Sequence, residues 1–170
     1  MTNTFRLLFA LLMVSAFSFA QAAAVALTEK ADIAVSPSAV WAATKDFGNL
    51  QSWHPAFVGS TNTNGNQPGS VRVLDLGGPT ITEELVRFSD EHKNFTYKIT
   101  QVDPSVLPLE NYISWFAVRD NGSGGSSVIW MGHFNTIGDA PAADVEKGVR
   151  GVYRAGLDNL KSMLETPTAE

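Results

Sequence analysis

The spacing of apolar residues changes along the chain from a period of two to a period of three to four. Residues 26–35 alternate polar and apolar side chains, which is typical of a β-strand. Ser36-Pro37 then supplies an N-cap residue and a proline at the first helical position, and this predicts a short helix that ends at Gly48. Asn49 is placed to cap a second short helix.

The middle of the chain predicts an antiparallel sheet. Clusters of glycine, asparagine and aspartate separate runs that are rich in β-branched and aromatic residues. Such runs cover residues 58–63, 71–76, 81–88, 95–101, 112–119 and 128–134. The links between them are short, and short links favour pairing between strands that follow each other in sequence.

The C-terminal part predicts one long amphipathic helix, because apolar residues recur at helical spacing from Val145 to Leu164. The order of elements indicates an α+β domain in which a curved antiparallel sheet wraps around this helix, with two short helices after the first strand. Small residues cluster on the helix at Gly148, Gly151, Ala155 and Gly156. They allow either close packing on the sheet or room for a ligand, and the sequence leaves both open.

The first 22 residues predict a secretory signal peptide. A short segment with the single charge of Arg6 precedes an apolar run over residues 7–19, and Ala20-Gln21-Ala22 is a small-x-small cleavage site. The run is shorter than the roughly 20 apolar residues that a membrane anchor needs. We therefore expect cleavage after Ala22, leaving residues 23–170 as a single domain that is periplasmic or secreted.

Composition excludes several classes of function. The chain has no cysteine, so it has no disulfide scaffold, thiol nucleophile or cysteine-ligated metal. Lys and Arg number 12 against 17 Asp and Glu, and no basic stripe is present to bind nucleic acid. A secreted domain without disulfides points to a bacterial periplasm. We expect no metal and no cofactor, because the spacing of the three histidines is not that of a zinc site.

Short motifs along the chain resemble those of the START-like SRPBCC superfamily, also called polyketide cyclase/dehydrase-like. In order they are Val40-Trp41, Asp46-Phe47-Gly48, Trp53-His54-Pro55, Gly69-Ser70-Val71-Arg72, Thr82-Glu83-Glu84-Leu85, Asp90-Glu91 and Asn111-Tyr112. The resemblance covers nearly all of residues 23–170. Within the superfamily the sequence resembles small secreted bacterial proteins of the MxaD type, and its order of segments is similar to that of the plant abscisic-acid receptors. It implies a helix-grip fold with a ligand cavity between the sheet and the C-terminal helix.

The resemblance also implies roles for particular residues. His54 stands where the plant receptors have a lysine that meets the ligand carboxylate, so the cation there would be titratable. Glu83 and Tyr112 correspond to a glutamate and a tyrosine that reach the ligand through water. The closing gate corresponds to residues 76–80, with Gly77, Gly78 and Pro79 as its turn. The latch corresponds to residues 106–109, which lack the plant histidine and arginine.

Strand parity extends this set of candidate ligand-binding residues. If Glu83 points inward, Ile81, Leu85 and Arg87 should also do so, since side chains alternate across a strand. The apolar lining is then expected to be Trp53, Phe57, Leu85, Phe95, Tyr97, Tyr112, Met131 and Tyr153, and its polar groups His54, Glu83, Arg87 and His133. A structural ion pair of Glu83 with Arg87 or a histidine is the alternative to a ligand-binding role.

Three kinds of function remain. The first is a periplasmic binding or accessory protein that holds a small apolar or amphipathic molecule and assists an oxidation system, with a dehydrogenase as its partner. The second is a cyclase or aromatase-like enzyme in which Glu83 exchanges a proton with His54 or His133. The third is a protein-interaction module that uses the gate and latch rim. No nucleophile elbow, phosphate loop or dinucleotide motif occurs, so the first kind is favoured.

Overall fold

The computed structural model describes residues 23–166, so the predicted signal peptide lies outside the described residues. Residues 23–166 form seven strands and two α-helices, with a single 3₁₀ turn over Leu50–Ser52. In chain order the elements are β1 (Ala24–Ile33), α1 (Pro37–Thr44), β2 (Gly59–Asn62), β3 (Val71–Asp75), β4 (Thr80–Ser89), β5 (Asn94–Val102), β6 (Leu109–Asp120), β7 (Ser126–Thr136) and α2 (Ala142–Glu165). Every strand that the sequence predicts is present.

The strands form one antiparallel sheet in the order β1-β7-β6-β5-β4-β3-β2. The buried face of α2 packs on the sheet with Val145, Val149, Tyr153, Leu157 and Leu160. The helix-grip fold, with a curved sheet around a long C-terminal helix, is therefore confirmed. The second short helix is only the 3₁₀ turn, and the side chain of Asn49 does not cap it.

A β-bulge in β4 corrects the predicted orientation of Arg87. The register of β4 against β5 shifts between Leu85 and Arg87, so Arg87 pairs with Thr96 and is exposed. Phe88 instead turns towards the core. The prediction from side-chain alternation fails here, because a bulge inserts one residue and moves every later side chain of the strand to the opposite face.

The orientation predicted for β7 is also wrong. Met131 and His133 point to the outer face and are exposed, whereas Trp130 and Phe134 are buried. Alternation does separate the residues of β7 into two sets, but both sets contain apolar residues. The larger aromatic side chains occupy the interior, since they remove the most apolar surface from water.

The cluster of small residues on α2 faces solvent except at one position. Gly148, Gly151 and Ala155 are exposed, and a Cβ added at Gly148 or Gly151 would meet nothing within 4 Å. Gly156 is buried, and a Cβ there would lie 2.5 Å from Cδ2 of His54. The small residues therefore permit close packing at Gly156 and form no wall of a cavity.

Candidate functional site

A cavity of about 30 Å³ lies between the sheet and α2. This volume holds one or two water molecules. Its walls are mainly apolar, and they are formed by Leu50, Phe57, Leu74, Ile81, Ile99, Leu107, Trp130, Val149 and Val152. The polar side chains on the wall are Glu83, Tyr97, Tyr112 and Tyr153. The lining is of the kind found in small-molecule sites, whereas the volume is far below the roughly 300 Å³ at which such sites begin.

The carboxylate of Glu83 forms a buried ion pair with Arg72. Arg72 Nε donates to Glu83 Oε2 at 2.6 Å, and Arg72 Nη1 donates to the carbonyl oxygen of Phe47 at 2.8 Å. The guanidinium also lies over the rings of Phe47 and Tyr97, 4.1 and 5.0 Å from their centroids. Burial raises the pKa of Glu83, and the charge of Arg72 opposes this rise. The neighbouring strands β3 and β4 create the pair, because Arg72 and Glu83 are opposite each other in register.

The three tyrosines belong to one hydrogen-bonded chain in the interior. Ser114 Oγ donates to the carbonyl oxygen of Met131 at 2.7 Å, so its only proton is used there. Tyr153 must then donate to Ser114, at 3.2 Å, and Tyr112 must donate to Tyr153. Tyr97 Oη lies 3.4 Å from Tyr112 Oη and donates to it. The direction of every hydroxyl proton therefore follows from the backbone carbonyl at the end of the chain.

Trp130 binds the other end of this hydrogen-bonded chain, at the hydroxyl of Tyr97. Its Nε1–H is shared between Tyr97 Oη at 3.0 Å and Ser114 Oγ at 3.1 Å, and its ring stacks on Tyr153 with centroids 4.4 Å apart. Gly132 makes room on the sheet, since a Cβ there would collide with the hydroxyl of Tyr153. Burial raises the pKa of Tyr97 to about 12, so the hydroxyl stays protonated at neutral pH.

His54 is buried but does not line the cavity. Its Nε2 lies 3.0 Å from the carbonyl oxygen of Val152, and its Nδ1 accepts from the amide of Ala56 at 3.2 Å. These contacts require a neutral ring with the proton on Nε2. Burial lowers the pKa of His54 from 6.5 to about 4, with a smaller contribution from the charge of Arg72. The prediction of a titratable cation in the cavity at His54 is therefore wrong.

The predicted gate and latch differ in their relation to the cavity. The gate, residues 76–80, forms a tight turn in which Asp75 Oδ1 accepts from the amides of Gly77 and Gly78 at 2.7 and 3.2 Å. Both glycines have positive φ, and Pro79 completes the turn, which does not line the cavity. The latch, residues 106–109, contributes Leu107 to the wall. A gating role for Gly77, Gly78 and Pro79 stays a prediction.

Five of the twelve candidate residues thus meet at the cavity. Those on its wall are Phe57, Glu83, Tyr97, Tyr112 and Tyr153, and those away from it are Trp53, His54, Leu85, Arg87, Phe95, Met131 and His133. Trp130 on the wall and Arg72 as the partner of Glu83 were not among the residues predicted from sequence. The signal in the sequence is that Arg72 is the one cation of β3, and this signal does not identify Glu83 as its partner.

The part of the chain covering residues 23–166 contains no cluster of three or more His, Asp or Glu that could hold a metal ion. Within the same residues, no helix has both the length and the apolar character to cross a bilayer.

Solved structures share the fold over most of the chain. XoxI from Bacillus cereus is 29% identical with a TM-score of 0.74, and the match covers 82% of this chain and 94% of that one. An uncharacterized protein from Bacillus thuringiensis is 29% identical with a TM-score of 0.75, over 84% and 100% of the two chains. Ara h 8.0201 is 18% identical with a TM-score of 0.68, over 84% and 98%.

Curated protein sequences give no match to this chain. A family model described as polyketide cyclase / dehydrase and lipid transport matches residues 24–165, which include every strand and both α-helices. The chain therefore belongs to the polyketide cyclase / dehydrase and lipid transport family.

Proposed function

We propose that this protein binds a small apolar or amphipathic molecule in the cavity between the sheet and α2, as a periplasmic binding or accessory protein. Membership of the family supports the binding of a hydrophobic ligand. The observation that carries the proposal is the position of Glu83, a buried carboxylate on the wall of a mainly apolar cavity. A charged group in such a place is costly to the fold unless it serves a ligand or a partner.

The cavity must enlarge to admit a molecule larger than water. Leu107 covers it from the loop between β5 and β6. Beyond the pair of Lys98 with Ile113 these two strands separate, and a surface cleft of about 710 Å³ lies between them. Ile99 and Tyr112 line both the cleft and the cavity. Movement of Leu107 with these two side chains would therefore connect the cavity to solvent.

A fluorescence titration tests the proposal. A neutral naphthylamine dye that brightens in apolar surroundings should bind the protein at one saturable site. Val152 is half-buried on α2 and lines the cavity, so Val152→Phe should fill the space and weaken binding by about tenfold or more. Met131→Phe is the matched control, because Met131 is exposed on the outer face. Absence of dye binding, or equal weakening by both variants, would contradict the proposal.

The enzymatic alternative needs a second acid or base residue beside Glu83, and neither predicted histidine is placed to serve as one. A cyclase that uses general acid and base catalysis was expected to pair Glu83 with His54 or His133. Both ring nitrogens of His54 bind backbone groups, and His133 is exposed on the outer face. Proton exchange between Glu83 and either histidine therefore has no direct path, and ligand binding is the function that the geometry favours.

The proposed location rests on the signal peptide predicted for residues 1–22, and the proposed role beside a periplasmic dehydrogenase rests on the MxaD-type resemblance. Mass spectrometry of the native protein should find an N-terminus near Ala23 in the periplasmic fraction. An intact Met1 in the cytosol would contradict export.

Chemical cross-linking in the periplasm should recover a dehydrogenase, and recovery of the protein without one would contradict the accessory role.

A further inference from the structure

The polar end of the cavity has an unused hydrogen-bond acceptor. Glu83 Oε2 accepts from Arg72, whereas no residue among 23–166 donates to Glu83 Oε1. Arg72 is not on the cavity wall, so Oε1 is the carboxylate oxygen available to the cavity. An ionised carboxylate only accepts hydrogen bonds. A ligand that reaches Glu83 must therefore bring a donor.

The hydroxyl chain on the wall offers no spare donor. The protons of Ser114, Tyr153, Tyr112 and Tyr97 are committed in sequence to a backbone carbonyl and to the preceding hydroxyls. The indole N–H of Trp130 is shared between Tyr97 and Ser114. The oxygens of the phenols retain lone pairs, so they add acceptor capacity at the same end of the cavity.

Charge restricts the ligand further. Arg72 lies 2.6 Å from Glu83 and balances its charge, so an ammonium group in the cavity would be a buried cation without a countercharge. A carboxylate would lie beside Glu83 in an apolar cavity without a cation on its wall, because His54 is neutral and its nitrogens are occupied. Both ionic classes are therefore disfavoured.

We infer that the ligand is a neutral alcohol or phenol whose hydroxyl donates to Glu83 Oε1 while its apolar part lies among the aliphatic residues of the wall. This inference rests on the proposed function, because it names the ligand class of the same cavity.

Displacement of the neutral naphthylamine dye from the full-length protein tests the inference. The competitors are a linear primary alcohol and the methyl ether, carboxylic acid and amine of matched chain length. The alcohol should displace the dye at about tenfold lower concentration than each of the others, as expected for one hydrogen bond to a charged group. An ether, acid or amine that competes as well as the alcohol would overturn the inference.

Substitution of Glu83 sharpens the test. In Glu83→Gln the amide oxygen must face Arg72, which only donates, so the amide NH₂ takes the position of Oε1 and offers a donor. The ether should then compete as well as the alcohol, and the tenfold advantage should disappear. Glu84→Gln, on the outer face of the same strand, is the control and should keep the advantage.

The outcomes separate the inference from the proposed function. Binding of the dye without preference for the alcohol overturns only the inference. Failure of the dye and of every competitor to bind overturns the proposed function and the inference with it. Loss of folding in Glu83→Gln leaves the ranking of the four competitors on the wild-type protein as the deciding result.

Discussion

Two buried titratable side chains are used differently: His54, where the 3₁₀ turn meets α2, and Glu83, at the polar end of the cavity. At the junction, both ring nitrogens of His54 bind backbone groups of the protein. At the cavity, Glu83 uses one oxygen for Arg72 and keeps the other without a partner among the described residues. Sequence reasoning placed His54 and Glu83 in one ligand site, whereas the structure separates them.

The difference shows which buried polar groups are candidates for binding. A group whose donors and acceptors are all paired within the protein contributes to folding and has nothing left for a ligand. A group with an unpaired atom on a cavity wall can gain a partner when a ligand enters. On this criterion His54 is structural, while Glu83 is both structural through Oε2 and available through Oε1.

The largest expected change in the free energy of unfolding comes from breaking the ion pair of Arg72 with Glu83. Arg72→Met should lower the free energy of unfolding by about 3–5 kcal/mol, because it leaves the carboxylate of Glu83 buried without a countercharge. Urea unfolding measures this change. The second substitution Glu83→Leu in the same chain should restore part of the loss. A loss below about 1 kcal/mol in the single variant would show that the pair does not hold the polar end together.

Acid should act mainly on the His54 junction. The folded-state pKa of about 4 lies below the ordinary 6.5, so the unfolded chain takes up a proton first as the pH falls. Stability should therefore decrease between pH 6.5 and pH 4, by about 3 kcal/mol at most. The raised pKa of Glu83 acts in the opposite direction, since protonation favours the folded state there.

Two variants isolate the contribution of His54. His54→Gln should remove this part of the pH dependence in thermal or urea unfolding, whereas His133→Gln, on the outer face, should retain it. An unchanged pH profile in His54→Gln would show that the neutral buried histidine does not control the acid transition.

Substitutions of the small residues of α2 should change the free energy of unfolding least. The direction of the change should differ between the buried position and the exposed ones. Gly156→Ala should destabilise by about 1–3 kcal/mol, because the new Cβ would lie 2.5 Å from Cδ2 of His54 and 3.1 Å from the ring of Trp130. Gly148→Ala and Gly151→Ala should stabilise by about 1 kcal/mol each, since their sites are open and alanine favours the helix. Equal effects at the three positions in thermal unfolding would contradict the close contact at the junction.

The fold could be predicted from sequence because it depends on local and repeated signals. The alternating strands, the Ser36-Pro37 helix start and the amphipathic spacing of α2 each have a physical cause that acts within a few residues. The seven motifs then agreed with the order of these elements. Glu83 and Tyr112 were assigned to the cavity by the resemblance, and Tyr97 and Tyr153 were added to them as part of the inferred lining.

The remaining site residues depend on features that alternation does not contain. The bulge after Leu85 reverses the face of Arg87, and no residue of that strand signals the extra position in advance. The phase of β7 is ambiguous because both of its faces carry apolar residues. The partner of Glu83 lies on a neighbouring strand, so Arg72 is found only once the register of β3 against β4 is known.

The most direct test of the account is a crystal structure of the protein with a bromine-labelled linear alcohol, in which anomalous scattering locates the bromine. We expect bromine among Leu74, Val149 and Val152, with the hydroxyl oxygen at hydrogen-bond distance from Glu83 Oε1 and Leu107 displaced. Bromine only in the outer-face groove beside Ile113 and Met131, with the cavity still about 30 Å³, would contradict it.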